Sequence, residues 1–162
     1  MEQNTGAVYL TRQRLTEIEN ELIDLKTNHR KSIAERIAEA RAQGDLSENA
    51  EYDAAKEAQG HLELKIAKLE NLLSRVTILN PEDITADEVR ILSCVTIKDM
   101  SIKEEITYTL VSPEEADFEM DKISVTSPVG KSLLNKKVGD VVIVEVPAGT
   151  VKYEVLEITK SI

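Results

Sequence analysis

The stretch Gly44-Asp45-Leu46-Ser47-Glu48-Asn49-Ala50-Glu51-Tyr52 sets Asp45, Glu48 and Glu51 three residues apart. On a helix that spacing puts the three carboxylates on one face. Two chemistries suit it. Asp45 followed by Glu48 fits a capping box, with Asp45 as N-cap and Glu48 at the third helical position. Both charges would then meet the positive end of the helix. Alternatively, the carboxylates hold a divalent cation. Mg²⁺ takes an octahedral shell of oxygens and commonly uses only one or two protein carboxylates, with water and phosphate supplying the rest. Two carboxylates on an exposed turn bind such an ion weakly, so a metal role implies a composite active site completed in a partner. Spacing alone leaves both readings open.

The flanking sequence must position this turn. Leu15, Ile18, Leu22 and Leu25 step by 3, 4 and 3, and the stripe continues through His29 to Ile33, Ile37 and Ala40. Consecutive steps of four around His29 are a stutter in a heptad. A second stripe runs through Ala55, Ala58, Leu62, Ile66, Leu69, Leu73 and Val76. Each is a narrow seam with charged flanks, as a two-stranded coiled coil requires. Gly44 between them is a helix stop, and two long helices joined by so short a link run antiparallel. A helix over 11–43 is about 50 Å long at the standard rise, so the hairpin is expected to project with Gly44-Asp45-Leu46-Ser47 at its tip. Dimerisation is the alternative use of such stripes. Each helix has one clean stripe, which the hairpin itself consumes, and that favours a monomer.

The character changes at Asn80-Pro81-Glu82-Asp83, because Pro disfavours helix in the residue before it. All four prolines lie in residues 81–162. The β-branched runs Cys94–Ile97, Ile106–Val111 and Val141–Val146 read as strands, and Pro147-Ala148-Gly149-Thr150 links the last to another over Tyr153–Ile158. Ser127-Pro128 caps a short helix that Gly139 is expected to close. The fold class is α+β: an antiparallel two-helix coiled coil over 1–80, then a small antiparallel sheet domain with one short helix over 81–162.

Composition narrows the function. The 162 residues carry 20 Lys and Arg against 30 Asp and Glu, a net charge of −10. Residues 1–80 hold 11 basic and 14 acidic residues, giving −3; residues 81–162 hold 9 and 16, giving −7. So acidic a chain does not hold a duplex by phosphate neutralisation alone, which leaves room only for a local basic stripe. Aromatics at 3%, with no Trp and one Phe, argue against a stacking platform for single strands. Cys94 alone excludes an internal disulfide or a Cys-built metal cage, and His29 and His61 do not make a His-rich site. No apolar run approaches the roughly 18 residues of a membrane span, and Met1–Gln13 lacks the apolar core of a signal peptide. The expectation is a soluble, cytoplasmic protein without a membrane partner.

Beyond these physical readings, the segments LTRQRLTEIENEL, ARAQGDLSENAEYDAAKEAQ, YTLVSPEEAD, KISVTSPVGKSLLNKKVGD and VPAGTVKYEVLEI together resemble the GreA/GreB family of bacterial transcript cleavage factors. The resemblance runs from Leu10 to Ile158. It implies that the coiled coil enters the secondary channel of bacterial RNA polymerase, while an FKBP-like C-terminal domain docks near the channel's rim. A backtracked polymerase there holds an extruded RNA 3′ end. Asp45 and Glu48 match the tip residues that help hold a second Mg²⁺ and a water in the polymerase active centre, which then hydrolyses its own transcript. The chain would bind no cofactor tightly and would not itself be an enzyme. The alternative is a regulator of the same shape that inhibits polymerase without promoting cleavage; an altered tip would favour it, and Asp45 and Glu48 are intact.

The resemblance also implies softer candidates. Lys56 matches a basic residue that could touch RNA phosphate, or it forms a solvated ion pair with Asp53 or Glu57. Arg36 and Arg41 could form a basic stripe along extruded RNA, though acidic neighbours such as Glu35 and Glu39 lie at helical spacing. Asn49 and Tyr52 are expected to shape the tip. The sequence departs from the family pattern at Gln13-Arg14, at Ser93-Cys94 and at Phe118-Glu119-Met120-Asp121. A prolyl isomerase pocket needs aromatic walls, and the second half offers only Tyr108, Phe118 and Tyr153. It is read as a docking module.

Overall fold

The stutter at His29 is realised as a change of helix type. The computed structural model describes residues 6–44 and 49–161. In it α1 (Arg12–Asp24) and α2 (Arg30–Ala42) are joined without a break by a π-helical turn over Leu25–His29. From Leu25 to Ile33 is eight residues, whereas two α-helical turns supply about seven. A π turn holds the extra residue and returns Ile33 to the face of Leu25. Ile18, Leu25, Ile37 and Ala40 are buried, while His29 is exposed.

The return helix α3 (Ala50–Leu73) runs antiparallel to this one. Leu25 clusters with Leu62 and Ile66, flanked by Leu22, Ile33 and Leu69. Lys26 pairs with Glu70 at 2.6 Å, Arg30 with Glu63 through two 2.9 Å hydrogen bonds, and Arg41 lies over the Tyr52 ring. The partner number falls along the series, as an antiparallel pair demands. A further pair, Lys65 to Glu21 at 3.2 Å, reaches diagonally. Exposed pairs of this kind stabilise little, so their chief effect is on register. The stripe on α3 departs from expectation at its end. Leu72 is buried and Leu73 only half-buried, and Val76 has left the helix for a strand. A straight α-helix drifts from a 3.5-residue repeat by about 20° per heptad.

The second half forms β3 (Ser93–Asp99), β4 (Glu104–Val111), β5 (Lys122–Ser124), β6 (Val141–Val146) and β7 (Gly149–Lys160), in spatial order β5-β4-β3-β7-β6. Alternate residues of the strands point inward: Val95 and Ile97, Leu110, Val142 and Val144, Val155 and Ile158 pack with Leu133 of α4 (Pro128–Leu133). The sheet is mixed rather than wholly antiparallel. β5 runs parallel to β4, because 3₁₀ turns at Pro113–Glu115 and Phe118–Met120 bring the chain back in the same sense. Ser127 caps α4 as expected, its Oγ accepting from the Gly130 N–H at 3.1 Å. The helix ends earlier than Gly139, and the left-handed residue that follows it is Asn135, with φ 66°.

Two short strands shift the expected division at residue 80. β1 (Val8–Leu10) pairs in parallel with β2 (Val76–Ile78), so both segments flanking the hairpin join the sheet-bearing part of the chain. The compact units are Met1–Arg12 with Val76–Ile162, and Gln13–Arg75. Asn80-Pro81 is a capped 3₁₀ turn within the first of these. No helix among the described residues is long and apolar enough to cross a membrane.

Candidate functional site

At the turn of the hairpin, α2 ends at Ala42 with Gln43 as its C-cap, and Gly44 follows with φ 114°. That is the left-handed residue with which helices commonly stop, and glycine adopts it without a Cβ clash. Asp45 and Glu48 lie outside the described residues. What the described residues do fix is the cap of α3, and it is neither of them. The Asn49 Oδ1 accepts from the N–H groups of Glu51 and Tyr52, each at 3.1 Å, while its Nδ2 donates to the Ala40 carbonyl at 2.7 Å. One side chain thus caps α3 and ties its start to the end of α2.

This corrects the capping-box reading. With Asn49 as N-cap the third helical position is Tyr52, and Glu48 precedes the cap. Of the three carboxylates at spacing three, Glu51 lies in the first turn of α3. The template Asp-x-x-Glu drew attention one turn too early. The signal for the true start was Asn49 followed by Glu51 and Asp53, acids in the first turn where they suit the helix dipole.

Arg41 and Tyr52 are brought together, the guanidinium 5.9 Å from the ring centroid, within cation–π range. Tyr52 is half-buried and Arg41 exposed, so the ring orients a cation on the side of the turn. Lys56 donates to Gln59 Oε1 at 2.9 Å rather than pairing with Asp53 or Glu57. Arg36 is exposed on α2. The antiparallel register sets it level with the Lys56–Glu57 turn of α3, so cations from both helices flank the same end of the hairpin. Nearly two turns further along, Arg30's hydrogen bonds hold the Glu63 carboxyl below its ordinary value, and Glu63 in turn raises Arg30. That pair is committed to register.

The aromatic residues of the sheet unit divide between its core and its surface. Tyr108 and Tyr153 pack against the core, and burial pushes both phenols up. Phe118 stands on the exposed 3₁₀ turn, almost wholly solvent-accessible.

Comparison with known proteins covers both units. Residues 8–78 match the family model described as "Transcription elongation factor, N-terminal", and residues 84–160 match "Transcription elongation factor, GreA/GreB, C-term". The chain is 54% identical over 150 residues to a transcription elongation factor GreA of Chloroherpeton thalassium, covering 93% of this chain and 95% of that one. It is 55% identical over 153 residues to the protein of that name from Chlorobium phaeobacteroides, covering 93% and 96%. Among solved structures, the GreA factor homolog 1 (Gfh1) of Thermus thermophilus is 28% identical and aligns with a TM-score of 0.44, covering 94% of this chain and 99% of that one.

Proposed function

Because the chain belongs to the GreA/GreB family of transcription elongation factors, we propose that it binds bacterial RNA polymerase and stimulates the polymerase's own hydrolysis of backtracked RNA 3′ ends. The observation that carries this reading is the Asn49 cap. With Asn49 as the cap of α3, that duty does not fall to Asp45 or Glu48, and the sequence sets these two carboxylates three positions apart between helices that carry Arg36, Arg41 and Lys56. Two carboxylates match what Mg²⁺ takes from a protein when phosphate and water complete its shell. Bound there and shared with the polymerase, such an ion would supply activation of a water and neutralisation of phosphate charge.

In this reading the chain's own residues bind and orient. The hairpin enters the polymerase secondary channel and delivers Asp45 and Glu48 to its active centre. Arg41, held by the Tyr52 ring, and Lys56 and Arg36 offer charge to the extruded RNA. The sheet unit docks the factor. The chain alone hydrolyses nothing, because two carboxylates do not make a full metal shell.

The test is a stalled, backtracked polymerase complex with 3′-labelled RNA. The wild-type chain should release short labelled fragments, and Asp45→Ala and Glu48→Ala should each lose most of that activity while still binding. Their melting temperatures should hold, since neither residue is the N-cap. Wild-type cleavage by either variant overturns the metal role. Polymerase inhibition by the wild type, with no fragments released, points instead to the inhibitory regulator.

A further inference from the structure

The turn between β4 and β5 displays apolar side chains where a folded chain normally hides them. Phe118 is 88% exposed and Met120 65%. The backbone beneath them is tied down. Asp117 and Lys122 exchange N–H to carbonyl bonds at 3.0 and 2.9 Å, and the Thr109 N–H donates to the Asp121 carbonyl at 2.9 Å. The Asp117 carboxylate accepts from the Glu119 N–H at 3.0 Å, and Asp121 takes a left-handed φ of 52°. Apolar groups held outward on an ordered backbone sacrifice little conformational freedom on binding. Phe and Met are also among the residues enriched at the centre of protein interfaces.

Charge selects the partner. Glu119 and Asp121 alternate with Phe118 and Met120 along the turn. Residues 81–162 carry a net −7. An apolar knob with an acidic rim repels nucleic acid, an anionic membrane and a second copy of itself. It complements an apolar protein pocket rimmed by Lys and Arg.

We infer that Phe118 and Met120 form the anchor by which the sheet unit seats in a basic-rimmed apolar pocket on RNA polymerase. The inference rests on the polymerase-binding reading above and adds the surface that makes the contact. It is tested with the full chain on immobilised polymerase core, comparing wild type, the double variant Phe118→Ser with Met120→Ser, and Glu119→Gln. The double variant should raise Kd at least tenfold without lowering the melting temperature, because both side chains are already in water. Glu119→Gln should flatten the salt dependence of binding. A double variant that binds within twofold of a wild type active in cleavage overturns the anchor and leaves the cleavage reading standing. A wild type that does not bind polymerase overturns both. Self-association of the wild type that the double variant abolishes assigns the knob to a second copy and also overturns it.

Discussion

The hairpin and the sheet unit spend their apolar residues differently. In the sheet unit, residues from β3, β4, β6, β7 and α4 converge on one shared core. In the hairpin, Leu25 meets Leu62 and Ile66 along a single seam, and each level packs mainly against the level opposite. A change in the shared core is felt by every strand around it. A change in the seam stays local, so the hairpin's outer faces and its turn are free to carry charges chosen for function rather than for packing.

The sharpest way to break this contrast is to add one methyl group in each region. In the sheet unit, a Cβ on Gly130 would overlap the Ser124 carbonyl oxygen and crowd the Ser127 Oγ. The obstacle is backbone, and α4 is pinned by its Ser127 cap and by Leu133 in the core. Gly130→Ala should therefore cost about 3 kcal/mol or more, read as a shift in the urea midpoint. A variant as stable as wild type would mean that α4 is far less firmly seated than its contacts indicate.

A smaller loss is expected at the turn of the hairpin. Asn49→Ala removes the cap of α3 and should cost about 1 kcal/mol. Asn49→Asp keeps an acceptor for the Glu51 and Tyr52 N–H groups but has no donor for the Ala40 carbonyl, so it should fall between wild type and alanine. If the two variants were equally destabilised, the tie to α2 rather than the cap would be the larger contribution.

The sign should reverse within α3 itself. Gly60 lies in the helix, exposed, with nothing within 4 Å of the position a Cβ would take. Gly60→Ala should stabilise by about 0.8 kcal/mol through helix propensity and a less flexible unfolded chain. Hydrogen exchange along α3 would detect it, and a loss of protection there would contradict the open space around the position.

The same contrast separates what could be read in the sequence from what could not. Periodicity revealed the seam, and the stutter at His29 marked the π turn, because both are local consequences of residues per turn. β3, β4, β6 and β7 were legible from β-branched runs. β1, β2 and β5 were not, since each spans three residues and exists only through a partner distant in sequence. The parallel sense of β5 depends on two 3₁₀ turns that leave no periodic signal. At the site, Asn49, Tyr52, Arg41 and Lys56 were identified as candidates, but the helix start was misplaced because two residues able to cap lie four positions apart. The scarcity of aromatics in the second half argued for a docking module, but composition could not say that Phe118 stands on the surface, 88% exposed.

The smallest expected effect concerns the ion pairs that set the hairpin's register. Arg30's hydrogen bonds hold the folded Glu63 carboxyl below its ordinary value of 4.5. In the unfolded chain that carboxyl titrates at the ordinary value, so over the interval between the two the unfolded state binds more protons and stability rises with pH. The contribution is thus complete above about 4.5 and is lost as pH falls through the lowered folded value. Arg30 itself stays charged throughout, its own pKa being raised by Glu63. The melting temperature of wild type should exceed that of Glu63→Gln slightly at neutral pH, and the gap should close in acid and shrink in high salt. It should remain smaller than the loss from Asn49→Ala, because both partners are exposed. A gap that persists unchanged into acid would show that the Glu63 charge is not its source, and the register of the hairpin would then owe nothing to charge at this level.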